Sequence, residues 1–158
     1  MRRASLDSVN CSIAQTLDVV GDPWTLLVVR DALWGVTRFD EFRRSLGIPR
    51  ATLSTRLRDL VDHGVLEQRP IEEGATRSEY VLTRKGRDLR PVLVAMLQWG
   101  DTWAELPTPP VTLVDSTTNE SLDLTYVDQT SGRALRDIAV GRRINTHSAS
   151  AAEHSATG

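Results

Sequence analysis

Along the first two thirds of the chain, apolar residues recur at the spacings of short amphipathic helices. Ile13, Leu17 and Val20 share one helical face and stop at Gly21. Ser12 and Gln15 stand at capping-box spacing, which predicts a short first helix capped by Ser12. Asp22-Pro23 opens a second helix, because aspartate accepts from orphan amides and proline in the first turn has no amide hydrogen to leave unpaired. The run from Trp24 to Trp34 is apolar nearly all round, the pattern of a helix at the centre of a core, and Gly35 ends it. Thr37 and Asp40 repeat the capping spacing before a third helix faced by Phe39, Phe42 and Leu46. Gly47-Ile48-Pro49 makes a short break. Leu53, Leu57, Leu60 and Val61 then mark a fourth helix, closed by His63-Gly64, where glycine suits a left-handed cap.

Beyond Gly64 the period changes. Val65–Arg69 and Ser78–Thr83 are strand candidates, joined as a hairpin by Pro70–Arg77 with Gly74 in the loop. From Arg84 a long helix is expected, carrying Leu89, Val92, Met96, Trp99 and Trp103, with Pro91 near its first turns or kinking it. Pro107-Thr108-Pro109-Pro110 is a boundary. After it, Val111–Val114 and Leu122–Val127 are expected to pair across Asp115–Ser121, and Gly141–Gly158, rich in Ser, Ala and Thr, reads as a disordered tail. No internal repeat is expected. The organisation is a flexible start over 1–11, a main domain over 12–105, a small extension over 106–140 with a hairpin, and the tail from 141 to 158. The fold class is mainly α with a small β-hairpin wing (α+β), a winged helix-turn-helix.

Charge changes this picture only when divided along the chain. The net charge of −2 announces no nucleic-acid partner. From Arg38 to Arg90, however, twelve basic residues stand against nine acidic, whereas from Asp101 onward four stand against eight. Any phosphate-binding surface belongs to the first part. Cys11 is the single cysteine, which excludes an internal disulfide and a paired-cysteine zinc site. No apolar run approaches the ~20 residues needed to span a bilayer, and the first residues lack the apolar core of a secretion signal. A cytoplasmic protein is expected.

Helix, tight turn, helix and hairpin, in that order, is the arrangement in which a second helix enters the major groove of double-stranded DNA. With Leu53, Leu57, Leu60 and Val61 turned inward, Ala51, Thr55, Arg58 and Asp62 face outward, and Arg50, Thr52, Ser54 and Arg56 lie toward the flanks. Arginine binds guanine in bidentate fashion, Ser and Thr reach base edges or phosphates, and a small residue such as Ala51 admits close backbone approach. Arg38 and, in the wing, Arg77 complete the candidate contacts, with Arg69 a lesser one; Glu72 and Glu73 oppose a strong wing contact. Composition alone would leave these arginines as a solvated face. A winged helix serving as a protein-interaction module is the competing reading.

These residues closely resemble the HxlR family of bacterial regulators, relatives of the MarR winged-helix proteins. The matching positions are Cys11, Trp24-Thr25, Arg30, Gly35, Arg38-Phe39 and Glu41-Phe42. Leu53-Ser54, Arg56-Leu57-Arg58, Leu60, Gly64, Tyr80, Leu82-Thr83, Gly86 and Trp99-Gly100 continue the match, which runs from about Asn10 to Trp103. The resemblance implies a homodimer held by the first and last helices, reading a palindromic operator. Ile13, Leu17, Leu89, Val92, Met96, Trp99 and Trp103 would form that interface. Pro49 departs from the pattern by standing where relatives often carry a capping serine.

The resemblance also gives Cys11 a role, since this position senses oxidants or electrophiles in some relatives. A thiol beside a helix N-terminus suits that chemistry, and packing at the dimer interface is the plainer alternative. A small-molecule effector near Trp24, Trp34, Met96 and Trp99 is a separate possibility. His63, His147 and His154 lack metal-ligand spacing, so no metal is expected, and no cofactor. No phosphate loop, nucleophile elbow or carboxylate pair suggests an enzyme.

Overall fold

The computed structural model describes residues 10–72, 77–105 and 107–143. The chain divides into two compact units, Met1–Thr108 and Pro109–Gly158. Residues 1–9 of the expected mobile start over 1–11, the wing residues Glu73 and Gly74, and residues 144–158 of the expected tail over 141–158 lie outside the described residues.

The first unit is built from α1 (Ser12–Val20), α2 (Pro23–Leu33), α3 (Phe39–Leu46), α4 (Arg50–Asp62), β1 (Leu66–Pro70), β2 (Ser78–Leu82), α5 (Arg84–Arg87) and α6 (Arg90–Trp103). It is mainly helical with one antiparallel hairpin, in the register Leu66↔Leu82 to Pro70↔Ser78. The hydrophobic centre is Val28 and Val29 of α2, Phe42 of α3, Leu53, Leu57 and Leu60 of α4, and Ile48, Val65 and Leu66 from the connections. α2 packs against α1, α3, α4, β2 and α6, the central position its apolar run requires. Asp31 is carried into this interior, 1% exposed. Its Oδ1 is held by Arg30 through Nε at 2.9 Å and Nη2 at 2.7 Å.

Local chemistry explains most element boundaries. Asp22 Oδ1 accepts from the Trp24 amide at 3.0 Å, and Pro23 occupies the first turn of α2. α4 ends in a Schellman pattern: Gly64 N–H donates to Val61 O at 2.9 Å, Val65 N–H to Leu60 O at 2.8 Å, and Gly64 has φ +67°. Two expected caps move by one residue. α1 is capped at Cys11, without a side-chain bond, and not at Ser12. α3 is capped at Arg38, whose amide donates to Glu41 Oε2 at 3.3 Å, so the Thr37–Asp40 pairing is not used. α2 likewise ends at Leu33, with Trp34 as its C-cap before Gly35.

The single long helix expected from Arg84 is instead α5 and α6, divided at Asp88-Leu89. Pro91 supplies the reason. It has no N–H for the carbonyl of Arg87 four residues back, and its ring crowds that oxygen. The chain therefore closes α5 at Arg87 and restarts with proline in the first turn of α6.

In the second unit the expected pairing is shorter than a strand pair, and a repeat is present after all. Val114 bridges Ser121, and Val127 bridges Ala134. Each turn uses the same bonds: Asn119 N–H to Asp115 O and Gly132 N–H to Asp128 O, both 2.8 Å. Asn119 and Gly132 are both left-handed, at φ 59° and 68°. Val-Asp, a threonine two residues on and a closing leucine recur thirteen positions apart. Only four positions of each segment coincide, too few to stand out from sequence.

Candidate nucleic-acid interface

α3, the Gly47-Ile48-Pro49 turn and α4 form the helix-turn-helix. Gly47 is left-handed at φ 62°, which lets the chain reverse in three residues. Pro49 occupies the N-cap position of α4 without a capping oxygen, and the helix begins at Arg50. Its first-turn amides are left without a side-chain partner from that residue.

α4 buries Leu53, Leu57 and Leu60 and presents its other side outward. Arg50, Ala51, Ser54 and Arg58 are exposed, and Thr52 and Thr55 are half-buried at the margin. The Thr55 hydroxyl donates to Ala51 O at 3.1 Å, leaving its oxygen free only to accept. The Arg50 guanidinium lies 4.9 Å from the centroid of Phe39, an attraction that holds it beside the turn. Arg56 behaves differently from the other candidates. Its Nη1 lies 3.3 Å from Asp59 Oδ2 and its Nε 3.8 Å from Asp22 Oδ1, so its charge is turned back toward α2.

Two arginines missed by the sequence reasoning join this surface. Arg43 and Arg44, in the last turn of α3, line an open cleft with Asp40, Gly47, Ile48, Pro49 and Arg50. Neither guanidinium has a carboxylate within ion-pair distance among the described residues. Their signal was the pair of cations just before the glycine turn, but only the reversal at Gly47 brings them beside Arg50. Arg38 is half-buried at the start of α3.

The wing is fastened at its base. Tyr80 N–H donates to Thr37 O at 2.8 Å. The Thr83 hydroxyl donates to Gly64 O at 2.7 Å, and Lys85 Nζ to His63 O at 2.7 Å, so the exit of α4 is tied to α5. On β1, Arg69 is claimed by Glu67 through Nε at 3.0 Å and Nη2 at 3.1 Å. The hydrogen bond from Arg69 holds the Glu67 carboxyl below its ordinary range. Arg77 is exposed at the start of the returning strand.

The last helix, α6, contains no buried residue. Val92, Met96, Trp99 and Trp103 form an exposed apolar stripe at helical spacing, whereas Leu89 and Leu93 turn toward the core. On α1, Ile13 and Leu17 are exposed too, and Cys11 is an exposed free thiol. Trp34 is exposed and Trp24 half-buried. Among the described residues, no helix is long and apolar enough to cross a membrane, and no cluster of His, Cys, Asp or Glu is grouped as for a metal ion.

Residues 19–107 match the model of the HxlR-like helix-turn-helix family. An uncharacterized HTH-type transcriptional regulator of Mycobacterium tuberculosis H37Rv is 45% identical over 113 residues, covering 71% of this chain and 72% of that protein. The crystal structure of the transcription factor candidate PA1607 superposes with a TM-score of 0.76 at 41% identity, over 89% of this chain and all of the other. The redox regulator HypR, in its reduced form, gives 0.55 at 31% identity, over 60% of this chain and 95% of its own. These relatives are regulators, a non-enzymatic class, and the two solved structures share the winged-helix architecture. The protein therefore belongs to the HxlR-like helix-turn-helix family and is a DNA-binding transcription regulator.

Proposed function

We propose that the protein is a homodimeric, sequence-specific repressor that reads a palindromic operator with paired α4 helices. The observation that carries this reading is the outward face of α4, continuous at Arg50 with the cleft that Arg43 and Arg44 line. Ala51 gives close approach to the groove floor. Arg50 and Arg58 are the base-reading candidates, with Thr52, Ser54 and Thr55 at base edges or the groove margin. Arg43 and Arg44 suit backbone phosphates on one side, with Arg38 and Arg77 as further phosphate contacts. A cation without a carboxylate partner loses less on reaching a phosphate than one already paired.

The dimer reading rests on the apolar stripe of α6 and on Ile13 and Leu17 of α1. Two tryptophans about two-thirds exposed on one line are a costly surface to leave in water. A two-fold interface between copies covers such a stripe with its own equivalent and sets two α4 helices against a two-fold symmetric site. Bound there, a dimer blocks the same groove to other proteins, which makes repression its output.

Oxidant or electrophile sensing at Cys11 is the release mechanism that similarity to a redox regulator favours. Cys11 is exposed and occupies the N-cap of α1, on the helix assigned to the interface. Selection of bound duplexes from a random pool, with and without oxidant, tests both parts. Enrichment of an inverted repeat that is lost on oxidation supports them. A triple Arg50→Ala, Arg56→Ala, Arg58→Ala protein with unchanged DNA affinity and salt dependence removes the DNA reading of α4 and favours a protein-docking module. A Cys11→Ser protein that still releases DNA under oxidant removes the thiol.

A further inference from the structure

The contact between Asp22 and Arg56 connects the start of α2 to the middle of the recognition helix, and it rests on surroundings that a groove-reading arginine would not have. Arg56 is 27% exposed, and its Nε is shielded from solvent without a hydrogen-bond acceptor. Asp22 Oδ1 lies 3.8 Å from that nitrogen, and Asp59 Oδ2 lies 3.3 Å from Nη1. Bidentate recognition of guanine or phosphate needs the guanidinium fork presented outward. Here the fork is flanked by two carboxylates, one from its own helix and one from α2.

Asp22 performs a second task with the same oxygen. Oδ1 accepts from the Trp24 amide at 3.0 Å and so starts α2. Only Gly21 separates it from Val20, the last residue of α1, which is buried. α1 is capped by the exposed Cys11 and carries the exposed Ile13 and Leu17. A displacement of α1 thus reaches Asp22 through one residue, and from Asp22 meets α4 at Arg56. The pair is separated by 3.8 Å and both side chains keep part of their surface in water, so it is weak in itself, which suits a contact that sets an angle and not one that holds the fold.

We infer that Arg56 is a positioning residue: with Asp22 it fixes the orientation of α4 on α2 and couples the end of α1 to the DNA-reading face. This inference rests on α4 being the recognition helix and takes Arg56 out of the direct groove contacts.

The test uses full-length protein carrying Asp22→Asn, Arg56→Gln or both. Asparagine caps a helix about as well as aspartate, so α2 keeps its start while the charge is lost. The probe is the duplex that the wild-type protein selects from a random pool. Each single variant and the double are expected to lose the same affinity, about 5- to 10-fold, at the low end of measured coupling effects. The salt slope stays at the wild-type value, since no phosphate contact is removed. Hydrogen exchange in the free protein gives a reading independent of DNA, and Asp22→Asn is expected to speed exchange of the helix-bonded amides of α4 around Arg56. A salt slope lowered by about one in Arg56→Gln, with Asp22→Asn binding as wild type, makes Arg56 a phosphate contact and overturns the inference. Additive losses overturn it as well, as does unchanged exchange in Asp22→Asn. If the wild-type protein selects no duplex, the recognition reading itself fails, and the exchange experiment still decides the contact.

Discussion

Gly86 sits so close to Val65 that a β-carbon built on the glycine overlaps the Val65 carbonyl oxygen and comes within 2.7 Å of Leu82 Cδ2. The same carbonyl accepts from the Thr83 amide at 3.1 Å, so the start of α5 is clamped to the chain leaving α4. A backbone oxygen held in this way cannot step aside. Gly86→Ala is expected to destabilise the protein by about 1–3 kcal/mol, the usual cost of overpacking. Urea unfolding checks this, and a midpoint equal to wild type would show that the clamp yields.

The two arginines of α3 and the arginine of α4 are expected to fail in different ways. Arg43→Ala and Arg44→Ala should each lower the salt slope of binding by about one and weaken all sequences alike. Arg58→Ala should cost about 1–3 kcal/mol and relax preference at one base position. Fluorescence anisotropy over a salt series, with matched and mutated duplexes, separates the two classes. A uniform loss for Arg58→Ala would move that residue to the phosphates.

Trp99 and Trp103 are 67% and 68% exposed, so replacing them leaves the core untouched. The double variant Trp99→Glu, Trp103→Glu is expected to sediment as a monomer with an unchanged far-UV circular dichroism spectrum. Its affinity for a palindromic duplex should fall by roughly a hundredfold or more, because the second half-site is no longer held at high effective concentration. A variant that still sediments as a dimer would place the interface elsewhere.

The paired turns of the second unit should share a response to acid. Asp115 accepts from the amides of Thr117 at 2.7 Å and Thr118 at 3.1 Å, and these bonds hold its carboxyl below the ordinary range. Asp128 is lowered chiefly by the Ser131 hydroxyl at 2.6 Å, then by the amides of Ser131 and Thr130. A carboxyl depressed in the folded state contributes its full stabilisation above the unfolded value of ~3.9 and loses it as pH falls through the lower folded value. Amide chemical shifts of Thr117, Thr118, Thr130 and Ser131 should therefore hold down to about pH 4 and change together below it. Asp115→Asn and Asp128→Asn should abolish that change, since the amide keeps an accepting oxygen but does not titrate.

Much of the fold was readable because it rests on short-range rules. The inward line Leu53, Leu57, Leu60 follows from the helical period, the start of α2 from Asp22-Pro23, and the end of α4 from a glycine able to turn left-handed. The caps at Cys11 and Arg38 were each missed by one residue. Ser12 and Thr37 are better capping side chains, but the backbone leaves the helix elsewhere, and composition does not report that dihedral.

The sequence by itself determined the order of helices, turn and wing, the buried face of α4 and the basic character of the Arg38–Arg90 region. Each of these depends on residues within a few positions of one another. Tertiary structure alone decided which cations are free. It returned Arg56 to Asp22 and set Arg43 and Arg44 beside Arg50 around the turn at Gly47. It also turned Leu89 inward, leaving Val92, Met96, Trp99 and Trp103 as the outward stripe. A charge acts through the distance to its neighbours in space, and that distance is fixed only when separate helices pack.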